Sequence, residues 1–235
     1  MTIFDRFIRY EWAEFALNVA MQKGDPSQIK PFLIMQGIAP QSGRRTANIL
    51  SNMWFPKEPL YQRLKEKAVV LLPNLSTNEH LALHWGMSLC IFPIFSQTVK
   101  IIGSLSKIQE TITKQEVISR ILGEYSNQIT IKRSIERIIQ TLLNWGVLEQ
   151  RENGFITSSP RIISNTELIE WLFEAVILKS PDRYLPLQDL IRANEIFPFD
   201  IQLPILSIYE NPSFSIHRDA SGEEIIGINY SVILG

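Results

Sequence analysis

The sequence predicts a mainly α chain, with a helical N-terminal region like a helix-turn-helix followed by two winged-helix-like units with short β-hairpins. Three observations predict it. Residues 113–159 read in order as helix, turn, helix and hairpin. Residues 37–54, GIAPQSGRRTANILSNMW, place a break ahead of an amphipathic helix with arginines at its start. The last third again lists helices and then a hairpin.

The chain has 235 residues, 45% of them hydrophobic, so it can bury a real core, and its length suits two or three small domains. The expected boundaries are 1–75, a helical domain; 76–160, a winged-helix domain; and 161–235, an acidic winged-helix-like domain. Net charge is only -1, which argues against a binder whose whole surface is basic. Lys and Arg number 10 against 6 Asp and Glu in residues 1–75, 8 against 7 in 76–160, and 5 against 11 in 161–235. Nucleic acid, if bound, belongs to the first two thirds.

Taking the elements in order, residues 4–21 read as an amphipathic helix with Phe4, Phe7, Ile8, Trp12, Phe15, Ala16 and Val19 on one face, ended by Gly24-Asp25-Pro26. Residues 27–36 form a second helix. After Gly37-Ile38-Ala39-Pro40 a third, over 42–54, turns Ala47, Ile49, Leu50, Met53 and Trp54 inward and leaves Arg44, Arg45 and Asn48 at its exposed start. A helix N-terminus followed by two arginines suits phosphate; the bland reading is a dressed surface turn. Residues 60–72 carry Arg63, Lys65 and Lys67 on a further helix. Helices over 79–91 and 94–105, separated by Pro93, pack Leu81, Leu83, Trp85, Met87 and Leu89. The apolar run 81–99 is interrupted by His84, Ser88, Pro93, Ser96 and Gln97, and reads as buried core rather than a membrane span.

The middle unit is the most legible. Thr113 caps a helix with Glu116 as its capping-box partner, burying Val117, Ile118, Ile121 and Leu122 before Ser126-Asn127 break it. The next helix, from about Thr130, buries Ile131, Ile135, Ile138, Ile139, Leu142 and Leu143 and shows Lys132, Arg133, Glu136, Arg137, Gln140 and Asn144 on its other face. Gly146 ends it. Strands over 147–150 and 155–158 flank Arg151-Glu152-Asn153-Gly154, with Asn-Gly expected to supply the positive φ of the turn. In such a unit the second helix enters a major groove, and Lys132, Arg133, Arg137, Gln140 and the wing's Arg151 are the candidate contacts. Glu136 weakens the field among them, and an exposed basic face is commonly only solvated charge.

Residues 160–164 cross to the last third, where helices are expected over 166–179, 185–193 and about 203–209, with strands over 214–218 and 224–230. Its counterpart of the DNA-facing helix, DIQLPILSIYENP, has no Lys or Arg, so a protein contact suits it better.

Catalytic signatures are missing: no GxxxxGK[ST], GxGxxG, HExxH, GxSxG or paired CxxC. No catalytic residue, cofactor or metal is therefore expected. His80 and His84 share a helix face and could hold a metal with Glu79, but that spacing is common by chance. The single Cys90 sits in an apolar helix, which fits a reducing compartment, and the N-terminus lacks the pattern of an export signal. A cytoplasmic protein is expected.

The opening RYEWAEFAL, the segment GIAPQSGRRTANILSNMW, the apolar helix LALHWGMSLCIFPIF, the ending LLNWGVLE, and the closing FPF and SIHRDASGEEII together resemble the BrxA family, small helical proteins of BREX phage-resistance systems. The likeness is one of layout and hydrophobic pattern over most of the chain. It implies a non-enzymatic protein that binds double-stranded DNA beside larger defence-system proteins, which the acidic C-terminal third would contact. A different class, a tandem winged-helix scaffold like the accessory subunits of SMC complexes, fits the same layout.

Overall fold

The structure is a computed structural model describing residues 2–123, 125, 128–180, 182–202 and 205–229, without the side chains of 205 and 206. It is mainly helical, with three small sheets.

The first third holds α1 (Tyr10–Met21), α2 (Ile29–Met35), α3 (Pro40–Trp54) and α4 (Pro59–Leu71). The helix expected over 4–21 begins only at Tyr10. Residues before it run extended because tertiary bonds take their backbone. The Ile8 N–H donates to Thr141 Oγ1 (3.0 Å), Trp145 Nε1 donates to the Ile8 carbonyl (3.1 Å), and the Tyr10 N–H donates to Asn144 Oδ1 (2.8 Å). Phe4 is fully buried against Phe92 and Phe95, so the apolar side chains there are core without being helix. α3 starts two residues earlier than expected, with Pro40 in its first turn.

α5 (His80–Ile91) is buried all round, as a helix apolar on every face must be. α6 (Pro93–Leu105) leaves it at 118°. No single helix among the described residues is long and apolar enough to cross a membrane. α7 (Lys114–Leu122) carries the full capping box between Thr113 and Glu116. α8 (Gln128–Asn144) leads into β1 (Leu148–Arg151) and β2 (Gly154–Thr157), an antiparallel hairpin joined on its far side by Ile112 opposite Phe155. The break expected at Ser126 and Asn127 lies outside the described residues.

The hairpin turn meets the expectation in part. Arg151 pairs with Gly154, so the turn is Glu152-Asn153, and of the Asn-Gly pair only Gly154 has a positive φ, 157°. Gly154 is needed for a second reason: a Cβ there would lie 2.4 Å from the Ile112 carbonyl oxygen.

The last third is β3 (Arg161–Ile163), α9 (Thr166–Lys179), β4 (Tyr184–Pro186), α10 (Leu187–Ile191), β5 (Phe199–Ile201), α11 (Ile205–Glu210), β6 (Phe214–Arg218) and β7 (Glu224–Ile228). β3 pairs with β5 in parallel, and the antiparallel sheet runs β4-β7-β6. Residues 160–164, expected only to cross over, thus hold a strand; the last residue of the strand expected over 224–230 lies outside the described residues.

One continuous cluster of buried side chains runs through all three thirds. At its centre α9 lies on α5, where Gly86 leaves room for the Trp171 indole. A Cβ on Gly86 would sit 2.4 Å from Trp171 Cζ3 and 3.3 Å from the Ala175 Cβ. The indole cannot swing aside, because its Nε1 donates to the Leu64 carbonyl of α4 at 2.8 Å. Gly86→Ala gains about 1 kcal/mol of helix propensity, but overpacking of this kind costs typically 1–3 kcal/mol and a contact this short lies at the upper end. The expected outcome is a net loss of about 1–2 kcal/mol, read as a lower urea midpoint. A stabilised Gly86→Ala would show that Trp171 is not fixed.

Candidate nucleic-acid interface

α8 follows the predicted stripe closely. Ile131, Ile135, Ile138, Ile139 and Leu142 are buried, Leu143 is half-buried, and Ser134 and Thr141 lie in the same contact, Thr141 Oγ1 donating to the Arg137 carbonyl at 2.9 Å. On the opposite face Lys132 and Arg133 are exposed. Neither makes an ion pair among the described residues. Arg137 and Gln140 are only half-exposed, and the guanidinium donates to Gln140 Oε1 at 2.7 Å. Glu136 is half-exposed beside them. Asn144, expected on the open face, is spent on the Tyr10 N–H.

At the tip of the hairpin Arg151 is exposed but pairs with Glu149 at 3.0 Å, which halves what it offers a phosphate. On α3, Arg44, Arg45 and Asn48 are all exposed, with no ion pair among the described residues. The two arginines therefore remain available cations.

α3 and α8 converge at their C-terminal ends, away from these cations. Trp54, the last residue of α3, and Trp145, just beyond α8, flank His84, with ring centroids 5.4 and 5.9 Å away. At 1.5 Å per residue the basic starts lie about 15 Å and about 20 Å along each helix from that meeting point.

The meeting point holds a group of titratable side chains. Glu14 of α1 accepts from His84 Nε2 at 2.8 Å and His80 Nδ1 at 3.1 Å. The shared face of the two histidines was legible as an i, i+4 pair. Their carboxylate was not, because it comes from a helix some seventy residues away in sequence, while Glu79 is occupied in accepting from Ser76 at 2.9 Å. Among the described residues no three such side chains are placed to hold a metal ion. Burial lowers the pKa of the fully enclosed His84, outweighing the upward pull of its bond to Glu14. For Glu14 burial acts upward, yet the hydrogen bonds and attraction of His84 and then His80 outweigh it and hold the pKa down at about 2. Tyr10 is pushed up, by burial first and then by Glu14.

Comparison with known protein families, curated proteins and solved structures finds no match to this chain.

The histidine cluster sets a pH dependence. A buried neutral His84 resists a proton that the unfolded chain takes up below its ordinary value of 6.5, and Glu14 resists one that the unfolded chain takes up below 4.5. Both make the unfolded state bind more protons, so stability falls with pH, first below 6.5 through His84 and again below 4.5 through Glu14. Urea midpoints across that range should decline. Glu14→Gln should lose about 1–2 kcal/mol at neutral pH and flatten the lower part of the decline. A wild-type midpoint constant between neutrality and the lower value would count against this cluster as the source.

Proposed function

We propose that this chain is a non-enzymatic, double-stranded-DNA-binding accessory protein of a bacterial phage-defence system of the BREX kind, acting in the cytoplasm. In this reading residues 113–158 work as a winged helix: α7 braces α8, α8 lies in the major groove, and the hairpin is the wing. The observation that carries the reading is the state of Lys132 and Arg133. Two cations stand exposed, without an ion pair among the described residues, on a helix whose other face is anchored in the core, the arrangement that phosphate binding requires. Arg44 and Arg45 supply a second phosphate contact, with Asn48 one turn further along. Arg137, Gln140 and Arg151 play lesser parts, since each is already engaged within the protein or its partners. The resemblance to the BrxA family supports the defence setting, and the acidic last third is the face left for other proteins of such a system.

Fluorescence anisotropy with a random-sequence duplex tests this. Lys132→Glu with Arg133→Glu should weaken binding by at least about tenfold and shrink the log-log salt slope by roughly 1.8, two phosphates at about 0.9 each. Both side chains are exposed, so the melting temperature should hold. Arg137→Glu should cost less affinity and more stability. Unchanged affinity in the Lys132 and Arg133 double variant would reject α8 as the DNA helix.

A further inference from the structure

A cavity opens between α4 and α9, lined by none of the basic residues of α3 or α8. It has a volume of about 650 Å³ and is closed at one side by Asn211 and Ser213. α4 contributes Arg63, Glu66, Lys67, Val70 and Leu71, and α9 contributes Glu167, Glu170, Trp171 and Glu174. Each set is spaced as one helix face.

Its floor is apolar: Leu71 and the indole of Trp171 are buried, and Val70 stands at the rim with 74% of its surface exposed. Its walls are acidic, with two cations against four carboxylates. At the inner end the Glu174 side chain, 4% exposed, already holds an ammonium, that of Lys67 at 2.7 Å. Glu170 is half-buried and accepts from Asn211 Nδ2 at 2.6 Å, while Glu66 and Glu167 are exposed with no ion pair among the described residues. Burial is the first cause of the raised pKa of both Glu170 and Glu174, whereas Glu66 and Glu167 stand in solvent. Two negative charges remain uncompensated around an apolar floor.

From this cavity we infer a binding site for a linear aliphatic diamine or polyamine, independent of the DNA reading. A hydrated metal ion would neutralise the walls but gain nothing from Leu71, Val70 and Trp171. An alkyl chain with ammonium groups matches both features, its methylenes on the floor and its cations on the carboxylates. The spacing agrees: Glu167 and Glu170, the α9 carboxylates not held by Lys67, lie about 4.5 Å apart along the helix, a distance that a chain of three methylenes bridges. The inner carboxylate keeps Lys67, so Glu167 and Glu170 receive the ligand, with Glu66 facing them from α4.

Calorimetric titration of the full chain with spermidine and putrescine, with arms for magnesium and for N-acetyl-lysine amide, tests the site. Spermidine should bind one to one with a Kd below about 1 mM, persisting in equimolar magnesium, and the monocationic lysine amide should bind about tenfold more weakly. Glu167→Gln with Glu170→Gln, isosteric and still able to accept from Asn211, should weaken spermidine by about tenfold or more and leave both the melting temperature and duplex binding as in the wild type. No spermidine heat, displacement by equimolar magnesium, lysine amide binding as tightly as spermidine, or an affinity unmoved in the double variant would each overturn the assignment. A failure of duplex binding would leave these readouts untouched, so the two readings fall separately.

Discussion

The contact of the Trp171 indole with Gly86 is the constraint on which the rest of the structure depends. It joins helices from all three thirds at one place: α5 supplies the glycine, α9 the indole and α4 the carbonyl that takes the Nε1 proton. Close approach of two helices removes a slab of apolar surface from water, and here both α5 and α9 are buried on nearly every face. Cys90 Sγ donating to the Ala175 carbonyl at 3.2 Å shows the same intimacy one turn further along. Because α9 is held to α4 by the indole on one turn and by the Lys67 to Glu174 ion pair on the next, the cavity between them has fixed walls. Lys67 is 37% exposed and Glu174 4%, so the pair adds little net stability, but losing the lysine strands a buried carboxylate, and the pair sets geometry more than energy.

A second cluster governs α8. His84, fully enclosed, lies among Tyr10, Trp54 and Trp145, and its Nε2 bonds to Glu14. The extended stretch before α1 then crosses to the C-terminal end of α8 and bonds Thr141, Asn144 and Trp145. Three bonds from one short strap hold that end, while the isoleucine stripe holds the helix along its length. A helix anchored in this way presents its exposed residues without ordering itself on binding, which lowers the entropic cost of recognition.

What the sequence could reveal follows from the range of the forces involved. α3, α4, α7, α8 and α9 were legible because a 3.6-residue apolar period and local caps are written within one segment; the Thr113 and Glu116 box and the Asn165 cap are both present in the structure. The stretch before Tyr10 was misread because Phe4 and Ile8 are apolar for the sake of the core, while the Ile8 backbone bonds to partners on α8 and at Trp145. β3, β4 and β5 have three residues each, too few to show an alternation, and β3 exists only because β5, nearly forty residues later, pairs with it. The positive φ of Gly154 was legible in Asn-Gly, but its close approach to Ile112 was not. Of the candidate DNA contacts, exposure of Arg44, Arg45, Lys132 and Arg133 was readable from helical phase. The engagement of Arg137 by Gln140 and of Arg151 by Glu149 depends on rotamers no periodicity reports.

Charge distribution links these features to function. With a net charge of -1 the chain has no strong long-range field, so under the proposed function nucleic acid would be attracted locally. At physiological salt the field of an exposed charge fades over about 8 Å, and the starts of α3 and α8 lie about 15 and about 20 Å along their helices from where these meet. Under the proposed function each patch would contribute its own share of released counterions. On α4 and α9 the opposite holds. There the charges line one cavity over an apolar floor, and the Lys67 ammonium already lies against Glu174. The same chain thus carries cations left open to solvent on two helix starts and carboxylates gathered in a recess. The fold itself separates the two kinds of charge.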